Sequence, residues 1–442
     1  MRGFLSSSTG VAACAALVLP LSLSAGAVAA PARSHHPAPP AHPSDTGRVG
    51  LPDVAVPDVP DVPGTTQSLP IPAGPESPTT RTIAPEARET RERTLHQREV
   101  QPFSLVGVVW EDAASELHGT VQVRTREVGT GAWSGWQDLE THTADHGADP
   151  GSTEGASGRL RGATAPLWVG ASDGVEVRVR PEDSAHAEEH AADADAVALP
   201  RGLRLELVDP GESGQPADPG PAPGPRALAP RAAEDTAAKK YVGPRPTIVT
   251  RKGWGADESL REGGFAYTST VKAAFVHHSS TGNNYTCKQA PSVLRSIYRY
   301  HVVSSGWRDF GYNFAIDKCG TIYEGRAGGV TRAVLGAHTL GFNSNTMGIA
   351  VLGTFTGTNP PAAVQTAISR LTAWKLGLFG RDPGGKVTLT SGGSGKYKKG
   401  KKVSFGVISG HRDGVSTDCP GTRLYNKLGA IRTASSKYQG RG

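Results

Sequence analysis

Between residues 100 and 209 apolar and polar positions alternate: the stretches 106–110, 120–126, 167–170, 174–180 and 203–208 follow a period of two, with Gly and Asp between them. Such short, punctuated runs predict an antiparallel β-sandwich-like domain. From about residue 239 the pattern changes. A continuous apolar run at 271–276 reads as a buried strand, and Pro291 opens a helix whose Leu294, Ile297, Tyr298 and His301 form one stripe. The stretches 312–317 and 321–324 read as a hairpin turning at Lys318-Cys319-Gly320, and 347–352 as a second apolar strand. Val364, Ile368, Leu371 and Leu378 mark another helix, ending near Gly380, and 403–409 is a strand leading to His411. The expected fold of this half is α/β, a mixed central β-sheet with flanking helices.

Where periodicity is absent, composition divides the chain. Residues 1–30 carry a basic start, an apolar run and the small-residue site Ala27-Val28-Ala29, the form of a secretory signal peptide. The run is too short and too rich in Ala and Ser to prefer a membrane span, so no transmembrane segment is expected. Residues 31–99, dense in Pro and Ala, predict a disordered spacer, and 210–238, rich in Pro and Gly, a stiff linker. The resulting layout is signal peptide 1–30, spacer 31–99, β-sandwich-like accessory domain 100–209, linker 210–238 and α/β domain 239–442. Within the accessory domain, the acidic, Ala-rich 182–196 reads as an exposed loop. Trp133, Trp136 and Trp168 are read as core in preference to a sugar-stacking platform.

The net charge of +6 over 442 residues is modest. Outside the cell, a basic chain meets anionic wall polymers rather than nucleic acid, and no nucleic-acid-binding signature is present. Lys396-Tyr397-Lys398-Lys399-Gly400-Lys401-Lys402 is either a contact for such polymers or a solvated hairpin tip. Maturation would leave three cysteines. Pairing Cys287 with Cys319 and assigning Cys419 to a metal accounts for all three, a free Cys419 or another pairing being the alternatives.

The candidate chemistry lies in Gly410-His411-Arg412-Asp413 followed by Cys419-Pro420-Gly421, with His277 at the end of an apolar run far upstream. Two imidazoles and one thiolate make three zinc ligands. That count leaves the fourth tetrahedral position open, as a catalytic site requires. If the strands ending in His277 and His411 are neighbours in the sheet, both rings meet at one end of it, and Cys419 comes round on the following loop.

Motifs spread over about 247–438 carry a resemblance. They are Lys252-Gly253-Trp254-Gly255-Ala256, Val276-His277-His278-Ser279, Tyr300-His301-Val302, Gly306-Trp307-Arg308-Asp309-Phe310-Gly311-Tyr312-Asn313-Phe314, Tyr323-Glu324-Gly325-Arg326, Gly336-Ala337-His338-Thr339 and the Gly410 and Cys419 segments. In this order they resemble peptidoglycan recognition proteins and the related zinc-dependent N-acetylmuramoyl-L-alanine amidases. The resemblance implies zinc held by His277, His411 and Cys419, and Tyr312 as a catalytic hydrogen-bond donor. Thr417 stands where some phage-type members carry a catalytic Lys. His301, Trp307, Arg326, His338 and Thr339 are either groove contacts for muropeptides, as the resemblance implies, or simply packed side chains; His278 is a packed neighbour, and Asp418 a support for Cys419. The implied activity is hydrolysis of the lactyl amide between N-acetylmuramic acid and L-alanine of peptidoglycan, by a protein secreted to the wall or beyond it. The alternative is a non-catalytic peptidoglycan-binding module, whose members usually carry Ser in place of the Cys ligand.

Overall fold

The computed structural model describes residues 62–72, 92–141, 146–182, 199–212 and 241–442. The expected signal peptide, most of the expected spacer, residues 213–238 of the expected linker and the 182–196 loop beyond Glu182 lie outside the described residues.

The N-terminal half is antiparallel throughout. Its strands are β1 (Thr65–Pro70), β2 (Arg93–Trp110), β3 (Gly119–Glu127), β4 (Gln137–Leu139), β5 (Gly162–Ala163), β6 (Leu167–Pro181) and β7 (Arg204–Asp209). They join in one sheet ordered β1-β7-β2-β6-β3-β4, with β5 paired to β2. Three register shifts along β2 against β6 bend it. The sheet starts earlier than the alternation suggested, because Thr65–Pro70 and Arg93–Glu99 belong to it. Pro70 closes an edge strand, where a missing N–H is tolerated. The polar run before Val100 is exposed and carries no hydrophobic period.

Both faces of β2 are covered. Val106, Val108 and Trp110 point into the sheet's own core with Val121, Val123, Val175, Val177, Val179, Leu205 and Leu207. The alternate residues Leu105 and Val109, with Trp168 and Val208, pack on Trp254, Leu294, Ile297, Tyr298 and Tyr300 of the C-terminal half. Gly107 lies between Leu105 and Val109, and a Cβ there would come within 2.4 Å of the Tyr300 hydroxyl. The absent side chain thus lets the Tyr300 ring approach, and its hydroxyl donates to the carbonyls of Val108 and Thr164.

The C-terminal half adds β8 (Ile248–Val249), β9 (Ala273–His278), β10 (Phe314–Ile316), β11 (Ile322–Glu324), β12 (Thr346–Val351), β13 (Lys386–Thr390), β14 (Lys402–Gly406) and β15 (Ile408–Gly410). Its helices are α1 (Ala290–Arg299), α2 (Ala362–Leu378), α3 (His411–Gly414), α4 (Thr422–Tyr425) and α5 (Leu428–Tyr438). A mixed sheet runs β15-β9-β12-β10-β11-β8. Ala274, Val276, Phe314, Ile316, Ile349 and Val351 face α2 and α5, through Val364, Ile368, Leu371 and Ile431. Ala315, Tyr323, Ala350 and Leu352 share the opposite cluster with Leu294 and Ile297 of α1. The expected strand 403–409 divides in two. Phe405 is drawn into an aromatic cluster with Phe275 and Phe342, pairing β14 with β13, and only β15 joins the central sheet. A disulfide joins Cys287, just before α1, to Cys319 in the β10–β11 turn. No helix among the described residues is long and apolar enough to cross a membrane.

Candidate metal centre

Strands β15 and β9 are parallel neighbours, with Gly410 opposite Val276. His411, the first residue after β15, and His277, near the end of β9, therefore emerge at one end of the sheet with ring centroids 4.4 Å apart. Cys419 returns on the next loop, its Sγ 3.8 Å from His277 Nδ1. All three side chains are fully buried. The His278 backbone N–H donates to the sulfur at 3.4 Å, and the Thr339 hydroxyl stands 3.4 Å from His277 Nε2. Thr339 also meets His338 Nδ1 at 3.0 Å, so a hydroxyl and a second imidazole fix the His277 ring from behind.

The electrostatics suit a metal. Burial, then the neighbouring imidazoles, hold His277 well below its ordinary pKa, leaving the neutral ring a metal requires. Burial pushes the Cys419 thiol well up, so it forms a thiolate only beside a cation. The donor set, two nitrogens and a sulfur, is that of zinc.

Tyr312 stands beside His277, ring centroids 5.1 Å apart, and burial raises its hydroxyl pKa well above the usual range, so it remains a donor. His301 stacks on Trp307 at 4.4 Å and accepts from the Gly311 N–H. Burial, with Arg326 nearby, takes its pKa down to about 3, so it is neutral. His301, Trp307 and Tyr312 line a cavity of about 330 Å³ between the two halves of the chain. His338, Thr339 and Arg326 do not line it. The first two lie behind His277, and the Arg326 guanidinium is bound by the Glu154 carboxylate at 2.7 and 3.0 Å. Thr417 accepts from the Cys419 N–H, which makes it a loop brace, and Asp418 is exposed beside Arg412 instead of supporting Cys419. His278, as expected of a packed neighbour, meets Ser280 at 2.9 Å and Glu140 at 3.5 Å.

The residues that the sequence left unmarked come from the N-terminal half. His146 lies among the ligands: one ring nitrogen each from His146, His277 and His411 and the Cys419 sulfur all fall within 4.8 Å of one another. Its ring is 4.2 Å from that of His411, and its Nδ1 is 3.2 Å from the Tyr312 hydroxyl. Behind it, Asn343 donates to the Gly147 carbonyl and to Asp149, and the Gly341 N–H donates to Asp149. Trp168, the one tryptophan of the three that is core, lies at the seam between the halves. Trp133 and Trp136 are half-buried under Arg124, with Arg178 also over Trp136. A lone His in a loop 131 positions before His277 carries no local signal, because the docking of two sheets brings it in.

Glu140 gives this seam a pH dependence. Burial alone would raise its pKa, but hydrogen bonds from His278 and Ser280 bring it down to about 2. A depressed carboxylate stabilises the fold above its unfolded pKa, and that contribution is lost as pH falls through the folded value. The Glu140→Gln variant lacks this term, so its deficit against the natural chain should shrink by about 3 kcal/mol from pH 6 to pH 2, read from urea unfolding at each pH. A deficit constant with pH would exclude it.

Both halves of the chain are similar to known families. An N-acetylmuramoyl-L-alanine amidase family model matches residues 267–422, and an Rv3811 N-terminal galactose-binding domain-like model matches 57–198. Peptidoglycan-recognition protein SC2 of Drosophila simulans is 35% identical over 184 residues, 41% of this chain and 84% of that protein. The human N-acetylmuramoyl-L-alanine amidase is 36% identical over 138 residues, 30% of this chain and 19% of that protein. Among solved structures, wild-type Drosophila PGRP-LB aligns with a TM-score of 0.33 at 26% identity, covering 41% of this chain and 92% of that one.

Proposed function

Since the chain belongs to the family of peptidoglycan recognition proteins and type 2 N-acetylmuramoyl-L-alanine amidases, we propose that it is a secreted, zinc-dependent amidase. It hydrolyses the lactyl amide joining N-acetylmuramic acid to L-alanine. The observation that carries this reading is the convergence of His277, His411 and Cys419 beside the Tyr312 hydroxyl. Zinc, when bound, supplies Lewis acidity toward the amide oxygen and an acidified water at neutral pH.

The chain's own residues do the rest. His277, kept neutral by burial, and His411, also fully buried, would hold the cation with Cys419. Thr339 keeps the His277 ring from rotating, and the His278 N–H stabilises the thiolate. Tyr312, kept protonated by burial, donates to the amide oxygen as negative charge gathers there. The stacked His301 and Trp307 form a flat wall against which the sugar and stem peptide bind, and the surrounding apolar residues exclude bulk water. The lysines of 396–402 lie exposed between β13 and the start of β14, as the solvated-tip reading expects.

The test is mass analysis of a defined muropeptide after prolonged incubation with the full chain, with and without a chelator. The expected products are a disaccharide with a free lactyl carboxyl and a peptide beginning at L-alanine, formed only with zinc present. Undiminished muropeptide binding after chelation, with no cleavage by the zinc-loaded chain, would instead identify a non-catalytic recognition module.

A further inference from the structure

The position the sequence leaves open at the metal is taken by the chain itself. His146 sits on the N-terminal sheet's loop, yet it offers a ring nitrogen to the same cluster as His277, His411 and Cys419. A single imidazole thereby meets both parts of the proposed machinery, since its Nδ1 also lies 3.2 Å from the Tyr312 hydroxyl. Three imidazoles and a thiolate complete a tetrahedral zinc shell, the closed set of a structural site rather than the open set of a catalytic one.

The segment carrying His146 is held firmly. One residue beyond it the Gly147 carbonyl is bound by Asn343, and two residues further Asp149 takes the Asn343 amide and the Gly341 N–H, each at 2.7 Å. Glu154 then accepts both Arg326 nitrogens and the Arg308 N–H, and this carboxylate and guanidinium are both buried. The Arg161 N–H donates to the Ser305 carbonyl at the end of the segment. Held in this way, His146, Gly147, Ala148, Pro150, Leu160 and Arg161 line the same cavity as His301, Trp307 and Tyr312.

We infer that His146 is a fourth metal ligand supplied in cis, and that the chain folds into a latent form in which residues 146–161 occupy the place of water and substrate. This rests on the metal site proposed above. Substrate reaches the metal only in the fraction of molecules whose segment has moved, and that fraction scales the apparent activity.

The experiment compares the full-length chain with its His146→Ala and Glu154→Gln variants, all zinc-loaded. X-ray absorption at the zinc edge counts imidazoles, and muropeptide cleavage is followed in parallel. The natural chain should show three imidazoles and one sulfur, and His146→Ala two imidazoles, one sulfur and an oxygen. That variant should also cleave at least about tenfold faster and release zinc to a chelator about tenfold more readily. Glu154→Gln keeps the ligand but loosens its support, so it should also cleave faster, which covers the case of a poorly folding His146→Ala. Two imidazoles in the natural chain, or unchanged cleavage in both variants, would overturn the inference while leaving the amidase reading intact. Zinc absent from the natural chain would overturn both.

Discussion

In the His146→Ala background, where two imidazoles remain, Cys419→Ser is expected to remove zinc and to lower amide hydrolysis by at least about a thousandfold, while muropeptide binding survives. Sγ is fully buried, accepts the His278 N–H and faces His277 Nδ1, so it occupies a corner that no other described side chain can fill. A serine hydroxyl is shorter, ionises far less readily and binds zinc weakly, and with His146 also removed the two remaining imidazoles would not retain the ion against a chelator. The groove wall of His301 and Trp307 is untouched by the change. Zinc content by atomic absorption and cleavage in both the natural and the His146→Ala backgrounds give the two readouts. A serine variant that retained one equivalent of zinc and normal turnover would remove Cys419 from the site.

The second large effect is expected at Tyr312. Tyr312→Phe keeps the ring against His277 and Phe310 and deletes only the hydroxyl. If that hydroxyl binds the developing oxyanion, kcat falls by about a hundred- to a thousandfold, or about 2.7–4 kcal/mol of barrier, with KM and zinc content nearly unchanged. A rise in KM alone would mean that the hydroxyl binds substrate without favouring the transition state. Because burial pushes the phenol pKa well up, no alkaline loss of activity from this group is expected below about pH 10.

The C-terminal fold was legible because its signals are local. Each apolar run at 271–276 and 347–352 is a strand covered on both faces, and the stripe after Pro291 is a helix with one buried side. The convergence of His277 and His411 was legible for a related reason, since one lies near the end of β9 and the other just after β15, its buried neighbour at the sheet edge. His146, Glu140 and Glu154 were not, because their partners lie more than 130 residues away across a seam between two sheets. One sign of that seam was present in Leu105-Val106-Gly107-Val108-Val109-Trp110, where the period of two expected for 106–110 gives way to apolar residues at consecutive positions. A strand that is greasy on both sides needs a cover on both sides. Arg326, His338 and Thr339 show a different limit: a motif gives order along the chain but not depth, and the structure places these three one layer behind the cavity wall.

The snug fit of Tyr300 over Gly107 bears on how such a chain could be switched on. Because the two halves share an oily seam, a protease that severed the stretch between residues 212 and 241 would yield two fragments still glued together, with His146 undisturbed. Liberation of the metal would then have to begin at the 146–161 segment itself, where a cut or a competing chain meets hydrogen bonds and charges that water can replace. A cut between residues 212 and 241 would leave the proposed latent form in place.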